Sequence, residues 1–546
     1  MQSMSKFASD IFLQKYAYES KDGTKETWEE LAERVSHSVL KAVGAKKSLI
    51  AQVKQYILER KFLPGGRYLY ASGRPFHQVN NCLMMRAEDS REGWADLMHK
   101  NTLGLMTGAG IGTDYSDIRC KGKIIRKTGG FATGPLALMQ MVNESGRGVM
   151  QGGSRRSALW AGLRWSHADI MSFISMKNWV KEVRALKSKD YNFPAMMDGT
   201  NISVQLDDDF FSAYSDEKNP QNTQAHMVYW AAVERMLKTG EPGFSIDTGK
   251  NRKETLRNAC TELTSFDDSD VCNLGSINLA RITSLEEMKA VVENAIAFLL
   301  AGTVYSDVPY AKVDQVRTKN RRLGLGIMGI HEWLLVHGKR YGANEELDKY
   351  LEVYATSDNY AKAYAKEWDL SCPIKTRAIA PTGTIGILAE TTTGIEPLFC
   401  VAYKRRYLKG DVWNYQYVLD PTAKRLIESG INPDDVEDAY VLAEDVERRL
   451  AFQAHVQKYV DHGISSTINL PQWGTEHNNT DTIQKFGKML LKYLPQLRGV
   501  TTYPDGARNG QPLNPVKWST AEKHVGEVFI EAGDVCDIRG GGTCGS

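Results

Sequence analysis

Three side chains at alternate positions, Asn258, Cys260 and Glu262, set an amide, a thiol and a carboxylate within five residues. In an extended segment alternate side chains share a face, so the spacing predicts all three reaching into one cavity while Ala259 and Thr261 point away. Such a face offers sulfur for redox or radical chemistry, a carboxylate for proton transfer and an amide to hold a hydroxyl. An arbitrary cysteine is more often a small buried apolar residue beside ordinary turn residues. Here other cysteines stand in patterned surroundings. Twelve residues after Cys260 comes Cys272-Asn273-Leu274-Gly275-Ser276. Upstream, Asn80-Asn81-Cys82-Leu83-Met84-Met85 reads as a buried strand opening with a cysteine.

The chain that must position these groups has 546 residues, 42% hydrophobic and 25% charged, an ordinary globular composition. That length buries one large core or divides into about three to four average domains. A formal charge of +2 gives no reason to expect nucleic-acid binding. No apolar run of membrane-spanning length and no signal-like stretch near Met1 is read, so a cytoplasmic protein without a membrane partner is expected. Eight cysteines in so long a chain do not make a secreted disulfide scaffold. With no C-x-x-C pair, neither a zinc ribbon nor a thioredoxin motif is indicated, and no metal-ligand set is read. There is no P-loop. The cysteines are therefore inert or redox-active.

Residues 1 to about 64 read as helical, with a capping box at Thr27-Trp28-Glu29-Glu30 and Leu31, Val35, Val39 and Leu40 at helical spacing. Gly108-Ala109-Gly110-Ile111-Gly112 reads as a glycine-rich turn able to bring backbone amides to a ligand, though its spacing is not G-x-G-x-x-G. Lys121 to Arg126 and Gln151 to Ser157 are basic, glycine-containing loops, either solvated surface or arginine forks for phosphate. Thr200 to Leu206 alternates like a strand, and Ser284-Leu285-Glu286-Glu287 caps a long apolar helix to about Leu300. Ala378 to Gly386 reads as a strand ending in a turn of hydroxyl and glycine residues, either a phosphate cradle or an ordinary Pro-Thr-Gly turn. Beyond about residue 511 the pattern is poor, and Cys536 and Cys544 on that tail suit a mobile dithiol. Strands alternating with helices indicate an α/β fold.

Together these stretches resemble the catalytic subunit of ribonucleotide reductase, and within it the coenzyme B12-dependent class II enzymes. The resemblance runs from about Phe12 to Gln511. It is carried by Phe62-Leu63-Pro64-Gly65-Gly66-Arg67, Asn81-Cys82, Gly108 to Gly112, Gly152-Gly153-Ser154-Arg155-Arg156, Asn258 to Glu262, Cys272 to Asn278, Pro381 to Ile385 and Gly394-Ile395-Glu396-Pro397. It implies a ten-stranded α/β barrel of two five-stranded halves with a central finger loop. On that division residues 1–78 are a helical N-terminal region, 79–510 the barrel and 511–546 a flexible redox tail. The resemblance makes Cys260 the thiyl radical that takes the 3′ hydrogen of a ribonucleotide, Glu262 the acceptor of the 3′-hydroxyl proton and Asn258 a ligand of the sugar. Cys82 and Cys272 become the reducing pair. Cys536 and Cys544 re-reduce that pair and pass the oxidation to a thioredoxin-type reductant. Substrate contacts are expected from Asn81, Ala109 and Gly110, and phosphate contacts from Pro381, Thr382, Gly383, Thr384 and Ile385.

The resemblance also implies a dNTP or ATP specificity effector, with Mg, at Asp89, Arg119, Lys121, Arg155 and Arg156, and a homodimer whose interface carries that site. Residues 1–64 look too short for the nucleotide-binding cone that controls overall activity. The tail thiols are separated by seven intervening residues, wider than the close pairs usual in the family, and Ser157 replaces the usual glycine after the arginine pair. Cys120, Cys372 and Cys400 match no motif and read as structural. Class I relatives take their radical from a metal-containing subunit through two adjacent tyrosines. The matching strand here, Val500-Thr501-Thr502-Tyr503, has no such pair. Adenosylcobalamin is then the simpler radical source. The alternatives are a class I-like subunit that needs a metal-containing partner, and a nucleotide-binding regulator without catalysis.

Overall fold

Strands buried on both faces need near-continuous apolar or small residues, and most of the ten segments of the main sheet approach that pattern. The ten are β1 (Phe62–Pro64), β2 (Cys82–Arg86), β3 (Gly110–Asp114), β4 (Leu159–Arg164), β5 (Thr200–Asp207), β6 (Gly243–Asp247), β7 (Asp270–Asn278), β8 (Leu323–Met328), β9 (Thr467–Leu470) and β10 (Gly499–Pro504). The computed structural model describes residues 4–126, 129–151, 155–190, 193–409, 412–507 and 513–529. The ten strands form one sheet in the order β1-β7-β2-β3-β4-β5-β6-β10-β9, with β8 also paired to β7. Strands β2 to β6 are mutually parallel. This block meets the rest through antiparallel seams, β7 against β2 on one side and β10 against β6 on the other. Beyond the seams β7 pairs parallel with β8 and β9 with β10, while β1 pairs antiparallel with β7. Isolated parallel bridges join Leu325 to Arg377 and Ile379 to Ile464.

Helices cover the sheet. Trp28–Lys41 starts with the expected capping box: Glu30 N donates to Thr27 Oγ1 at 3.3 Å, and Thr27 N donates to the Glu30 carboxylate at 2.8 Å. Such a cap contributes about 1 kcal/mol. Leu31, Val35, Val39 and Leu40 are fully buried beneath it. Contrary to the sequence expectation, one helix among the described residues, Leu285–Tyr305, is long and apolar enough to cross a membrane by length and composition. Its Val291, Ile296, Phe298 and Leu299 are buried in the largest apolar cluster, and it packs against Trp28–Lys41, Glu345–Ala355 and Ser357–Glu367. From Ala295 to Thr303 every residue is buried, which is why that stretch is almost wholly apolar, whereas Glu286 and Lys289 in the first turns are exposed.

Three readings of the sequence change. Gly108 to Gly112 is not one turn. Gly108 ends the helix Arg91–Thr107 with a φ of 107°, and Gly110 already begins the buried strand β3. β1, inside the segment expected to be helical, joins the main sheet through Phe62–Pro64 against Gly275–Ile277 of β7. Residues 513–529, expected as tail, add Leu513–Pro515 and Val528–Phe529 to the hairpin Ala402–Lys409/Val412–Leu419, making a separate four-stranded sheet. Edge strands are recruited by backbone hydrogen bonds, so short extended segments join without an apolar pattern to announce them.

Candidate active site

Cys82 opens β2 and Cys272 lies near the start of β7, at the seam between the parallel block and its antiparallel neighbour. They are direct Cα partners across that ladder. Directly opposed residues have Cβ atoms about 4.5–5.5 Å apart, within reach of a disulfide after a small shift. Both are buried and neither is in a disulfide. Burial pushes both thiols well above the usual cysteine range, so they keep their hydrogens.

Over this pair stands a hairpin whose two strands, Leu256–Arg257 and Thr264–Ser265, are two residues each. The six residues between them form the tip, and they are not extended. Thr261 N donates to Asn258 O at 3.1 Å, and Thr261 has a φ of 67°. So short a ladder must reverse direction within the tip, and the turn breaks the expected alternation. Cys260 is exposed at the apex, while Asn258 and Glu262 are both 1% exposed and turn inward. Asn258 links the layers: its Nδ2 donates to Cys82 Sγ at 3.0 Å, and its Oδ1 accepts from Leu263 N at 3.0 Å. The tip is steadied from outside by Asn201 Nδ2, which donates to Ala259 O at 3.3 Å, and by Gly463 N, which donates to Glu262 O at 2.7 Å.

Burial raises the Glu262 carboxyl from 4.5 to about 7, against the opposing hydrogen bonds from its own backbone and Asn258. Its Oε2 is buried with no hydrogen-bond partner among the described residues. Cys260, Glu262 and Cys272 all lie close enough to Cys82 for their negative charge to raise its thiol further. The five expected catalytic residues of the barrel are therefore gathered in one place. Met84, Leu256, Leu263, Leu274, Ala378 and Ala380 wrap the two buried thiols in an apolar shell.

Ala380 brings the expected phosphate segment to the same site. Ala378 N donates to Leu325 O at 3.0 Å and Ile379 N to Gly463 O at 3.2 Å, fixing the strand-like approach. Thr382 then adopts a φ of 50°, and the short helix Gly383–Ala389 begins. Thr382 Oγ1 is occupied as an acceptor for Gly394 N at 2.9 Å. Pro381 and Gly383 are exposed, Thr384 half-buried and Ile385 buried. Ala109 and Gly110 are buried beside Cys82, and Gly110 N donates to Asn81 O at 2.8 Å.

The expected effector residues lie apart from this cluster. Arg119 Nε bonds the Asp89 carboxylate at 2.8 and 3.0 Å, and Asp89 lines a cleft of about 280 Å³ with Arg86, Lys100, Asp117, Asp268 and Lys312. Lys121 is exposed, and its backbone N donates to Asp169. Arg155–Arg156 pair with Met150–Gln151 as a small hairpin, and the Ser157 hydroxyl donates to Gly146 O, tying that hairpin to the helix Pro135–Gly148. Cys536 and Cys544 lie outside the described residues. Of the three cysteines read as structural, Cys400 is buried, Cys120 is half-buried and Cys372 is exposed.

The sequence reading missed a charged cluster at the hairpin's base. Glu254 meets Lys375, Arg322 at 3.4 Å and Arg498 at 3.5 Å, and Arg322 also binds Asp270. Thr264 Oγ1 donates to Glu254 at 3.0 Å, and Thr264 N donates to His462 Nδ1 at 3.1 Å. Burial lowers Lys375 to about 8 and His462 well below the usual histidine range. No spacing announces the cluster, because its members come from five separate segments.

A family model described as ribonucleotide reductase, barrel domain, matches residues 80–228, 216–366 and 375–503. The chain is 26% identical to the vitamin B12-dependent ribonucleoside-diphosphate reductase of Thermoplasma acidophilum, across 95% of this chain and 73% of that protein. It is 27% identical to the protein of the same name from Mycobacterium tuberculosis, across 83% of this chain and 72% of that one. A protein of Mycobacterium phage D29, provisionally named adenosylcobalamin-dependent ribonucleoside-triphosphate reductase, is 26% identical across 96% of both chains.

Proposed function

The chain belongs to the ribonucleotide reductase family, and we propose that it reduces ribonucleoside di- or triphosphates to 2′-deoxyribonucleotides in the cytoplasm by a thiyl-radical route dependent on adenosylcobalamin. One observation carries this reading: two protonated, directly opposed thiols lie beneath a tip that bears a third thiol and a carboxyl near pKa 7.

Each group has a task. Cys260, as a thiyl radical, takes the hydrogen from C3′ of the ribose. Glu262 takes the 3′-hydroxyl proton, and its unpartnered Oε2 is the acceptor suited to that work. The 2′-hydroxyl leaves as water. Cys82 and Cys272 supply two protons and two electrons, one proton departing with the 2′-hydroxyl in that water and the other ending on C2′, and become a disulfide; their raised pKa values keep both protons available. Cys260 then returns hydrogen to C3′, and Glu262 returns the proton. The apolar shell keeps water from the reducing pair. Asn258 orients the sugar. Asn81, Ala109, Gly110 and the Pro381-Thr382-Gly383-Thr384-Ile385 segment bind the nucleotide and its phosphates.

Adenosylcobalamin, when bound, supplies a carbon-centred radical. Cys260 is the exposed member of the set, which suits a radical source approaching from outside the tip. The absence of paired tyrosines in Val500 to Tyr503 points the same way. The bridges from Leu325 to Arg377 and from Ile379 to Ile464 support a sheet closed into a barrel through Arg377–Ile379, giving the second half its fifth strand. We assign the specificity effector to Asp89, Arg119, Lys121, Arg155 and Arg156 in a homodimer, and re-reduction to Cys536 and Cys544 with a thioredoxin-type partner.

The test is anaerobic turnover of the purified chain with CDP or CTP, dithiothreitol, a dNTP effector and adenosylcobalamin. Deoxynucleotide that forms only with the cobalamin is the expected result. Silence with cobalamin, rescued by a metal-loaded radical subunit, would overturn the cobalamin assignment.

A further inference from the structure

We infer that Arg257 is the positioning residue that fixes Cys260 over the Cys82–Cys272 pair, a reading that rests on Cys260 being the reacting group. Arg257 is fully buried, one residue before the tip. One terminal nitrogen of its guanidinium donates to Glu254 O and, at 3.1 Å, to Leu256 O. The other donates to Ile246 O at 3.2 Å, Arg498 O at 3.4 Å and the Asp247 carboxylate at 2.6 Å. The rigid guanidinium fork therefore ties the hairpin's first strand to the end of β6 and to the residue that leads into β10. Arg498 completes the clamp from the other side, donating to Ile246 O at 3.1 Å and to Asp247 at 3.4 Å.

The backbone of the same residue is gripped on its opposite face. A Cβ added to Gly112 of β3 would stand 1.9 Å from Arg257 O. Residue 257 is thus held between β3 and the β6–β10 seam, and the next residue, Asn258, reaches Cys82. Buried arginine–carboxylate pairs add little net stability compared with apolar replacements. What this pair adds is a fixed height for a six-residue tip that has no ladder of its own.

The test compares the full chain with Arg257→Met, reading kcat, KM and iodoacetamide alkylation of the reduced protein mapped to each cysteine. The expected result is kcat lower by about a hundredfold, the cost of about 1 Å of misplacement, with KM for the nucleotide unchanged. Cys82 and Cys272 become alkylated as the hairpin lifts, while Cys400, buried elsewhere, stays protected. Parental turnover, or lost turnover with Cys82 and Cys272 still protected, overturns the inference. If Cys400 also reacts, the variant has unfolded. The near-isosteric Asp247→Asn then carries the same expectations and the same overturning results. Alkylation needs neither substrate nor cofactor, so it separates this inference from the proposed activity. An inactive parental chain with normal protection would count against the activity alone.

Discussion

Glu262 has its carboxyl pKa near 7 only because burial outweighs its hydrogen bonds, so its charge changes around neutral pH. In the proposed role of proton acceptor it must be ionised before reaction. The acid limb of kcat/KM is therefore expected near pH 7, and Glu262→Gln should lower turnover and abolish that limb in a pH–rate profile. Stability follows the opposite direction. The folded-state pKa is above the unfolded value, so the contribution of this group is fully present below pH 4.5 and is lost as pH rises through 7. Denaturant midpoints measured across that window should show the parent losing about 3 kcal/mol relative to Glu262→Gln. Cys260→Ser makes a different prediction. Turnover should vanish while Cys82 and Cys272 keep their protection from alkylation, because serine keeps the size of the apex side chain and the apolar shell and Asn258 stay in place. Retained turnover would remove the thiyl assignment.

At the scale of elements, the strand beneath the hairpin and the helix Leu285–Tyr305 respond differently to added volume. Gly112→Ala drives a methyl into Arg257 O, so kcat should fall as the tip shifts. Gly302→Ala, in Leu285–Tyr305, meets the Tyr68 hydroxyl at 1.8 Å and is expected to cost about 1–3 kcal/mol of overpacking. Thermal melts with kcat on the same samples distinguish them, since Gly302→Ala should keep its kcat per folded molecule. The sequence disclosed much at this scale. Cys82 opens the buried strand expected of it, and the capping box at Thr27 forms. It did not disclose the turn at Asn258–Thr261, because alternation describes a strand and cannot report that the ladder is only two residues long. Nor did it reveal why Gly112 is glycine. The close approach is to another part of the chain, 145 positions away, where a ligand was expected.

Across the whole molecule, the seam between β2 and β7 joins two blocks of parallel strands, and the Cys82–Cys272 pair crosses it. Order along the chain shows the motifs, and the resemblance pairs Cys82 with Cys272, but the strand adjacency that brings them together depends on β7 pairing β2 and β8 at once. The tail supplies a prediction at the same scale. In Cys536→Ser/Cys544→Ser, the first turnover should proceed and dithiothreitol should sustain more, whereas thioredoxin should not. Multiple turnovers with thioredoxin would remove those cysteines from the reaction. The crossing itself has a further consequence. Oxidation during turnover would close a covalent loop of about 190 residues between Cys82 and Cys272, which restricts the unfolded chain by about 5 kcal/mol. Spent enzyme would then be stapled across its own seam, more resistant to heat and proteolysis than enzyme ready to react. A cell short of reductant would accumulate the durable form, and each re-reduction would loosen the molecule as it restores its chemistry.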